Sequence, residues 1–248
     1  MFQSSQVRRQ WQTRDVATPG SLSEISIRVV NLRAIFKQGN SEPDLIRTTA
    51  LGINDDLDAW EAVIPLKWRY TAVDATAEED CYNRKKHSYP NLWVADAWNN
   101  WRAVRTVVHQ ILYYNETRVA SPDTVLQTTA LNIMKAMAIE ICISVSSFEN
   151  TPREYLILTE CMHRVNHITE VSSLIQPLFC VARNELNSRN LRTFAIVKLR
   201  AISYLTGIRK ACLLADTAQQ NLDGQARDFF SPPRVSLTSL SPRVPMDF

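Results

Sequence analysis

The chain has 248 residues, a formal net charge of +3 and only five glycines. That length can bury a sizeable core as one large or two small domains. Scarce glycine and long helix-periodic apolar runs predict an all-α protein, and the mixing of acids and bases along most of the body speaks against a dedicated nucleic-acid face.

Residues 1–20 are polar, carry Arg8, Arg9 and Arg14, and end at Thr18-Pro19-Gly20. They read as a disordered lead-in without the apolar core of a signal peptide. Ser21 with Glu24 forms a capping box, and Leu22, Ile25, Val29, Leu32 and Phe36 follow as a buried stripe that Gly39 to Pro43 ends. A second helix is expected from Asn54 as cap, with Asp55 and Asp56 in its first turn and Leu57, Trp60 and Ile64 on one face, stopped by Pro65. Leu66 to Tyr70 reads as extended, and residues 72–90 as a surface connector.

The strongest pattern lies over residues 93–114. Val94, Ala97, Trp98, Trp101, Val104, Val108, Ile111 and Leu112 recur at steps that line one helix face, while Arg102, Arg105 and His109 form a basic side stripe. Three tryptophans on one helix make it central to a core. Their inward phase also argues against a base-stacking platform and leaves the arginines to bridge acidic neighbours. A further helix is expected from Ser121 as cap and Pro122 at its first position, with Leu126, Ala130, Ile133, Met134, Met137, Ile141 and Val145 inward. Its most apolar part, residues 131–145, is interrupted by Asn132, Lys135 and Glu140 and is too short to span a bilayer. The expectation is a soluble intracellular protein without a membrane partner. Helical stretches over residues 154–163 and 170–185 come next. Asn190 then opens a helix with Leu191, Phe194, Val197, Ala201, Ile202 and Leu205 on one face and Gly207 as its C-terminal cap. Residues 208–220 form the last helix, with Ile208, Ala211, Cys212 and Ala215 inward. The Ser/Pro/Arg-rich residues 223–248 read as a disordered tail, in which Ser231 and Ser241, each before proline, are candidate phosphorylation sites. The architecture expected is an irregular multi-helix bundle over residues 21–222 with disordered N- and C-terminal tails.

Chemistry-bearing patterns are sparse. His163 and His167 stand four apart near Cys161 and Glu170, but Arg164 occupies the place where a zinc protease has its glutamate, and there is no evident third ligand. The acidic run Glu78-Glu79-Asp80 beside Arg84-Lys85-Lys86-His87 reads as a solvated face whose charges pair across the connector. Cys81, Cys142, Cys161, Cys180 and Cys212 are odd in number and widely spaced, as reduced thiols are. No phosphate loop, nucleophile elbow or reactive-cysteine signature occurs. The sequence therefore predicts no catalytic residue, no cofactor and no metal.

Several blocks read in order carry a resemblance: Asp56-Leu57-Asp58-Ala59-Trp60, Ile64-Pro65-Leu66-Lys67-Trp68, Trp98-Asn99-Asn100-Trp101-Arg102-Ala103-Val104-Arg105, Ile139 to Val145, Gln176-Pro177-Leu178-Phe179, and Leu199 to Gly207 leading into Ile208-Arg209-Lys210-Ala211. Together they resemble the C-terminal, fungal-specific transcription factor region of fungal six-cysteine binuclear zinc cluster regulators, over about residues 20–222. The resemblance implies a nuclear (alternatively cytoplasmic) helical regulatory domain, often tied to secondary-metabolite gene clusters. It would act on protein partners of a transcription complex, as a homodimer, or through a small-molecule effector. The zinc cluster is missing from this sequence, so no direct sequence-specific DNA binding is expected of the chain. An effector pocket is expected between the tryptophan helix and residues 126–145. Two other readings are an all-helical biosynthetic-cluster enzyme using His109, His163, His167 or the acidic residues, and a non-functional fragment of a full transcription factor.

Overall fold

The computed structural model describes residues 21–76, 81–149 and 171–224. Its elements are α1 (Leu22–Gln38), α2 (Pro43–Val63), β1 (Thr71–Asp74), β2 (Lys85–Ser88), α3 (Leu92–Glu116), α4 (Thr124–Ser144), α5 (Ile175–Arg183), α6 (Arg189–Thr206) and α7 (Arg209–Leu222), with a one-turn step Ser146–Glu149 after α4. The protein is mostly helical, and the two short strands pair antiparallel, Ala72 opposite His87. The lead-in, the acidic run at 78–80, residues 154–163, the His163/His167 pair, Cys161 and the tail bearing Ser231 and Ser241 lie outside the described residues.

Local chemistry sets the helix ends. In α1 the Ser21 hydroxyl accepts from the Glu24 N–H while the Glu24 carboxylate accepts from the Ser21 N–H, the full capping box. Gly39 closes this helix and Gly207 closes α6, both left-handed, with φ of 74° and 73°. Helix α2 begins eleven residues ahead of the sequence expectation. Pro43 starts it, and Asn54 sits inside, donating to Asp58 at 3.0 Å. Ile46, Ala50, Ile53, Leu57 and Trp60 form one buried stripe along its whole length, and that continuous stripe carries the helix through Gly52 and Asn54. Leu66–Trp68 is a 3-10 turn and not an extended piece. The expected connector contains the hairpin, with His87 buried. The cap of α4 is Asp123, whose carboxylate accepts from Leu126 N at 2.9 Å, two residues beyond Ser121.

The buried residues form two apolar clusters. One joins α1, α2 and α3 with Ala130 of α4, and it holds Phe36, Leu57, Trp60, Trp98 and Trp101. The other joins the second half of α4 with α5, α6 and α7, and it holds Ile141, Phe148, Leu178, Leu199 and Ala215. Helices α3 and α4, packed along each other, separate and connect the two. At one end of this pair Glu116 is fully buried, accepting from Arg47 Nε and Nη2 and from the Asp123 N–H, each at 2.9 Å, so one carboxylate ties α2, α3 and the start of α4. Helix α4 continues past a turn at Val145 into the one-turn step, and residues Thr124–Phe148 are by length and composition alone long and apolar enough to cross a bilayer. That corrects the reading from residues 131–145. Half of its most apolar window is buried in the fold, as a core helix would be.

Helix α6 turns a different face inward from the one expected. Leu191, Ala195, Leu199 and Ile202 are buried, whereas Val197 and Leu205 are exposed. The sequence offers two apolar registers on this helix, and the small Ala195 lets α6 approach α5 and α7 closely. Helix α7 does the same with Ala211, Ala215 and Ala218, leaving Cys212 half-buried.

Candidate functional site

The basic stripe of α3 is not a surface feature. Asn99, Arg102, Thr106, His109 and Gln110 are all buried, and Arg102 is only 1% exposed. A charge removed from water needs compensating partners, and Arg102 draws them from three elements. Its Nη1 donates to the Tyr89 hydroxyl at 2.7 Å and to Asn99 Oδ1 at 2.9 Å. Its Nη2 stands 3.6 Å from Glu140 Oε2 of α4. Aromatic rings wall the guanidinium, with Tyr70 at 4.7 Å, Trp98 at 5.8 Å and Tyr89 at 6.0 Å from its carbon.

The hairpin closes this cage. Tyr70, just before β1, donates its hydroxyl to Glu140 at 3.0 Å. His87 of β2 places Nε2 3.1 Å from the same carboxylate and Nδ1 3.0 Å from the Tyr89 hydroxyl. The partners fix one proton arrangement. The Tyr89 oxygen accepts from Arg102 and donates its proton to His87 Nδ1, and His87 is the neutral tautomer donating from Nε2 to Glu140. Burial lowers the His87 pKa, only partly offset by the Glu140 hydrogen bond. The His87 hydrogen bond, with the charges around it, holds the Glu140 carboxyl below its ordinary range against the desolvation that raises it. Burial pushes the Tyr89 hydroxyl up to about 12. At neutral pH the cage is therefore one arginine cation against one carboxylate, bridged by neutral rings. The Ser147 hydroxyl also donates to the His87 carbonyl and ties β2 to the step after α4.

Outside the cage lies a shallow cleft of about 360 Å³ lined by His87, Tyr89, Asn91, Leu92, Ser146 and Ser147. It sits under the hairpin at the start of α3. Between α3 and α4, where the pocket was expected, stand the Arg102–Glu140 pair and Ser144 Oγ, 2.9 Å from Asn99 Oδ1.

The other expected residues disperse. Arg105 pairs with Asp58 at 2.7 Å and lies over the Trp101 ring at 4.9 Å, the bridging role read from the sequence. His109 donates from Nε2 to Asn54 at 3.0 Å, and burial, with Arg105 beside it, pushes its pKa down to about 4. Among the described residues no three His, Cys, Asp or Glu side chains converge as metal ligands, and Cys81, Cys142, Cys180 and Cys212 are free thiols. Sequence reasoning missed Tyr70, His87, Tyr89 and Glu140. The sequence marks Glu140 only as a carboxylate interrupting an apolar helix, and does not name the residues opposite it.

Comparison with family models, curated proteins and solved structures finds no match for this chain.

Proposed function

We propose that this chain is a helical regulatory and interaction domain of a transcription regulator of the fungal zinc cluster class, nuclear in its site of action. One observation carries this reading. Four of the six blocks behind the resemblance, those within residues 56–145, meet in space. Trp60 stacks on Trp101 at 6.5 Å and meets Trp98 edge-on at 5.9 Å. Trp98 Nε1 donates to the Trp68 carbonyl and Trp101 Nε1 to the Leu57 carbonyl, each at 3.0 Å. Arg102 faces Glu140. Residue types that recur together for a structural reason make a better family signature than the same residues scattered through a fold.

The cage supports a regulatory role over a catalytic one. Its hydroxyls, imidazole and carboxylate are committed to one another, and that arrangement fixes a geometry without presenting a free nucleophile or base. Protein contact, or an effector seated against the hairpin, would act by favouring one packing of α3, α4 and the hairpin. The test is to tether the full chain to a heterologous DNA-binding domain above a reporter gene in a fungal host. We expect reporter output to change several-fold relative to the tether alone. Unchanged output from a folded, nuclear fusion would overturn the reading.

A further inference from the structure

The face of α6 that the bundle leaves outside is itself amphipathic. Val197, Ala201, Tyr204 and Leu205 follow at steps of four, three and one and share one side of the helix. Val197 is 54% exposed, Tyr204 90% and Leu205 67%. A single exposed aliphatic is ordinary, but an aligned set centred on a nearly bare tyrosine is the form of a helix-docking surface. The charge around it has one sign. Residues 189–215 contain Arg189, Arg192, Lys198, Arg200, Arg209 and Lys210 and no aspartate or glutamate, whereas the rest of the chain is net acidic. Arg192 and Lys198 are buried, and the other four are exposed. Arg200 lies on the outer face between Val197 and Tyr204, and its partner Asp216 of α7, at 3.2 Å, is half exposed itself. Arg209 and Lys210 open α7 just past the Gly207 turn.

We infer that this face of α6 docks an acidic amphipathic helix, whose apolar side covers Val197, Tyr204 and Leu205 and whose carboxylates meet Arg200, Arg209 and Lys210. Charge sign decides against a second copy of the same face, which would bring like charges together. The aliphatics decide against nucleic acid, which has no use for exposed Val197 and Leu205. The inference rests on the interaction-domain reading and gives the partner its chemistry. The reporter assay can succeed with this surface idle, so the two fail separately.

The experiment is fluorescence anisotropy of the full chain with a labelled designed helix of about 15 residues, leucines at i, i+3 and i+7 and glutamates between. A lysine version of the same peptide and a DNA duplex serve as controls. Tyr204→Glu and, separately, Arg209→Glu with Lys210→Glu are made in exposed positions, with helicity checked by circular dichroism. The expected result is saturable binding of the glutamate peptide, weakened about tenfold or more by either variant and by added salt. Equal binding of the lysine peptide, affinity untouched by Tyr204→Glu, or displacement by the duplex overturns the proposal. So does concentration-dependent self-association that Tyr204→Glu abolishes, which would make the occupant a second copy.

Discussion

Arg102 of α3 donates to the hydroxyl of Tyr89, just past β2, at 2.7 Å, and this bond fastens a two-stranded hairpin to the interior of a helical protein. Removing the arginine leaves Glu140 and two tyrosines turned toward an empty volume. Arg102→Ala is expected to cost about 3 kcal/mol, as emptying the site of a large, fully buried side chain does. Tyr89→Phe, which strips only the shared hydroxyl, should cost about 2 kcal/mol. Urea denaturation of both variants checks this. A loss below about 1 kcal/mol for Arg102→Ala would show that the cage contributes little to stability.

Acid should weaken the fold through its buried histidines. His109 has its pKa pushed down to about 4 from an ordinary 6.5, and His87 is lowered as well, both by burial first. Each stays neutral in the folded chain while the unfolded chain takes up the proton, so their contribution is full above 6.5 and is lost as pH falls. For His109 alone the loss between about pH 7.5 and about pH 5 comes to roughly 2 kcal/mol. Unfolding midpoints at the two pH values, compared with those of His109→Gln, measure it. A wild-type stability that does not change between them would contradict the neutral assignment.

Glu116 offers a sharper local test. Its carboxylate is completely buried between Arg47 and the Asp123 N–H. Glu116→Gln keeps the volume but removes the charge and leaves one group turned the wrong way. The expected loss is about 3 kcal/mol. Hydrogen exchange at the start of α4 should accelerate together with that loss in denaturation. Exchange there at the wild-type rate would mean that the carboxylate does not hold α4 in place.

Two glycines should respond oppositely to alanine. A Cβ at either would meet nothing within 4 Å, so only the backbone decides. Gly52 lies within α2, where alanine should raise stability by about 0.5–1 kcal/mol. Gly207 turns at φ 73°, and alanine there should lower it by about 1 kcal/mol. Thermal unfolding of the two variants reads the sign directly.

How much the sequence disclosed depended on whether a signal was local. The Ser21–Glu24 box, the Gly39 and Gly207 stops and the α3 stripe from Val94 to Leu112 depend on neighbours within a turn or two, and they stand as read. Asn54 has the chemistry of a cap, yet Ile46, Ala50 and Ile53 ahead of it had already committed α2 to the core. The α6 stripe could be phased two ways, and the phase that prevailed puts Leu191, Ala195, Leu199 and Ile202 into one cluster with residues of α5 and α7. The cage was the least legible part. Tyr70, His87, Tyr89, Arg102 and Glu140 are separated by as many as seventy residues, and nothing in the intervening chain announces their convergence.

The division into two apolar clusters has a spectroscopic consequence. Trp60, Trp68, Trp93, Trp98 and Trp101 all pack in or against the cluster of α1, α2 and α3, and the cluster of α4 to α7 has no tryptophan among its described residues. With Trp11, which lies outside the described residues, replaced by phenylalanine, indole emission watches the cluster of α1 to α3 and not the cluster of α4 to α7. Melting followed by that emission and by helical circular dichroism would coincide only if the halves part together, and any gap between the two curves would measure how independently the α5–α7 half can come apart.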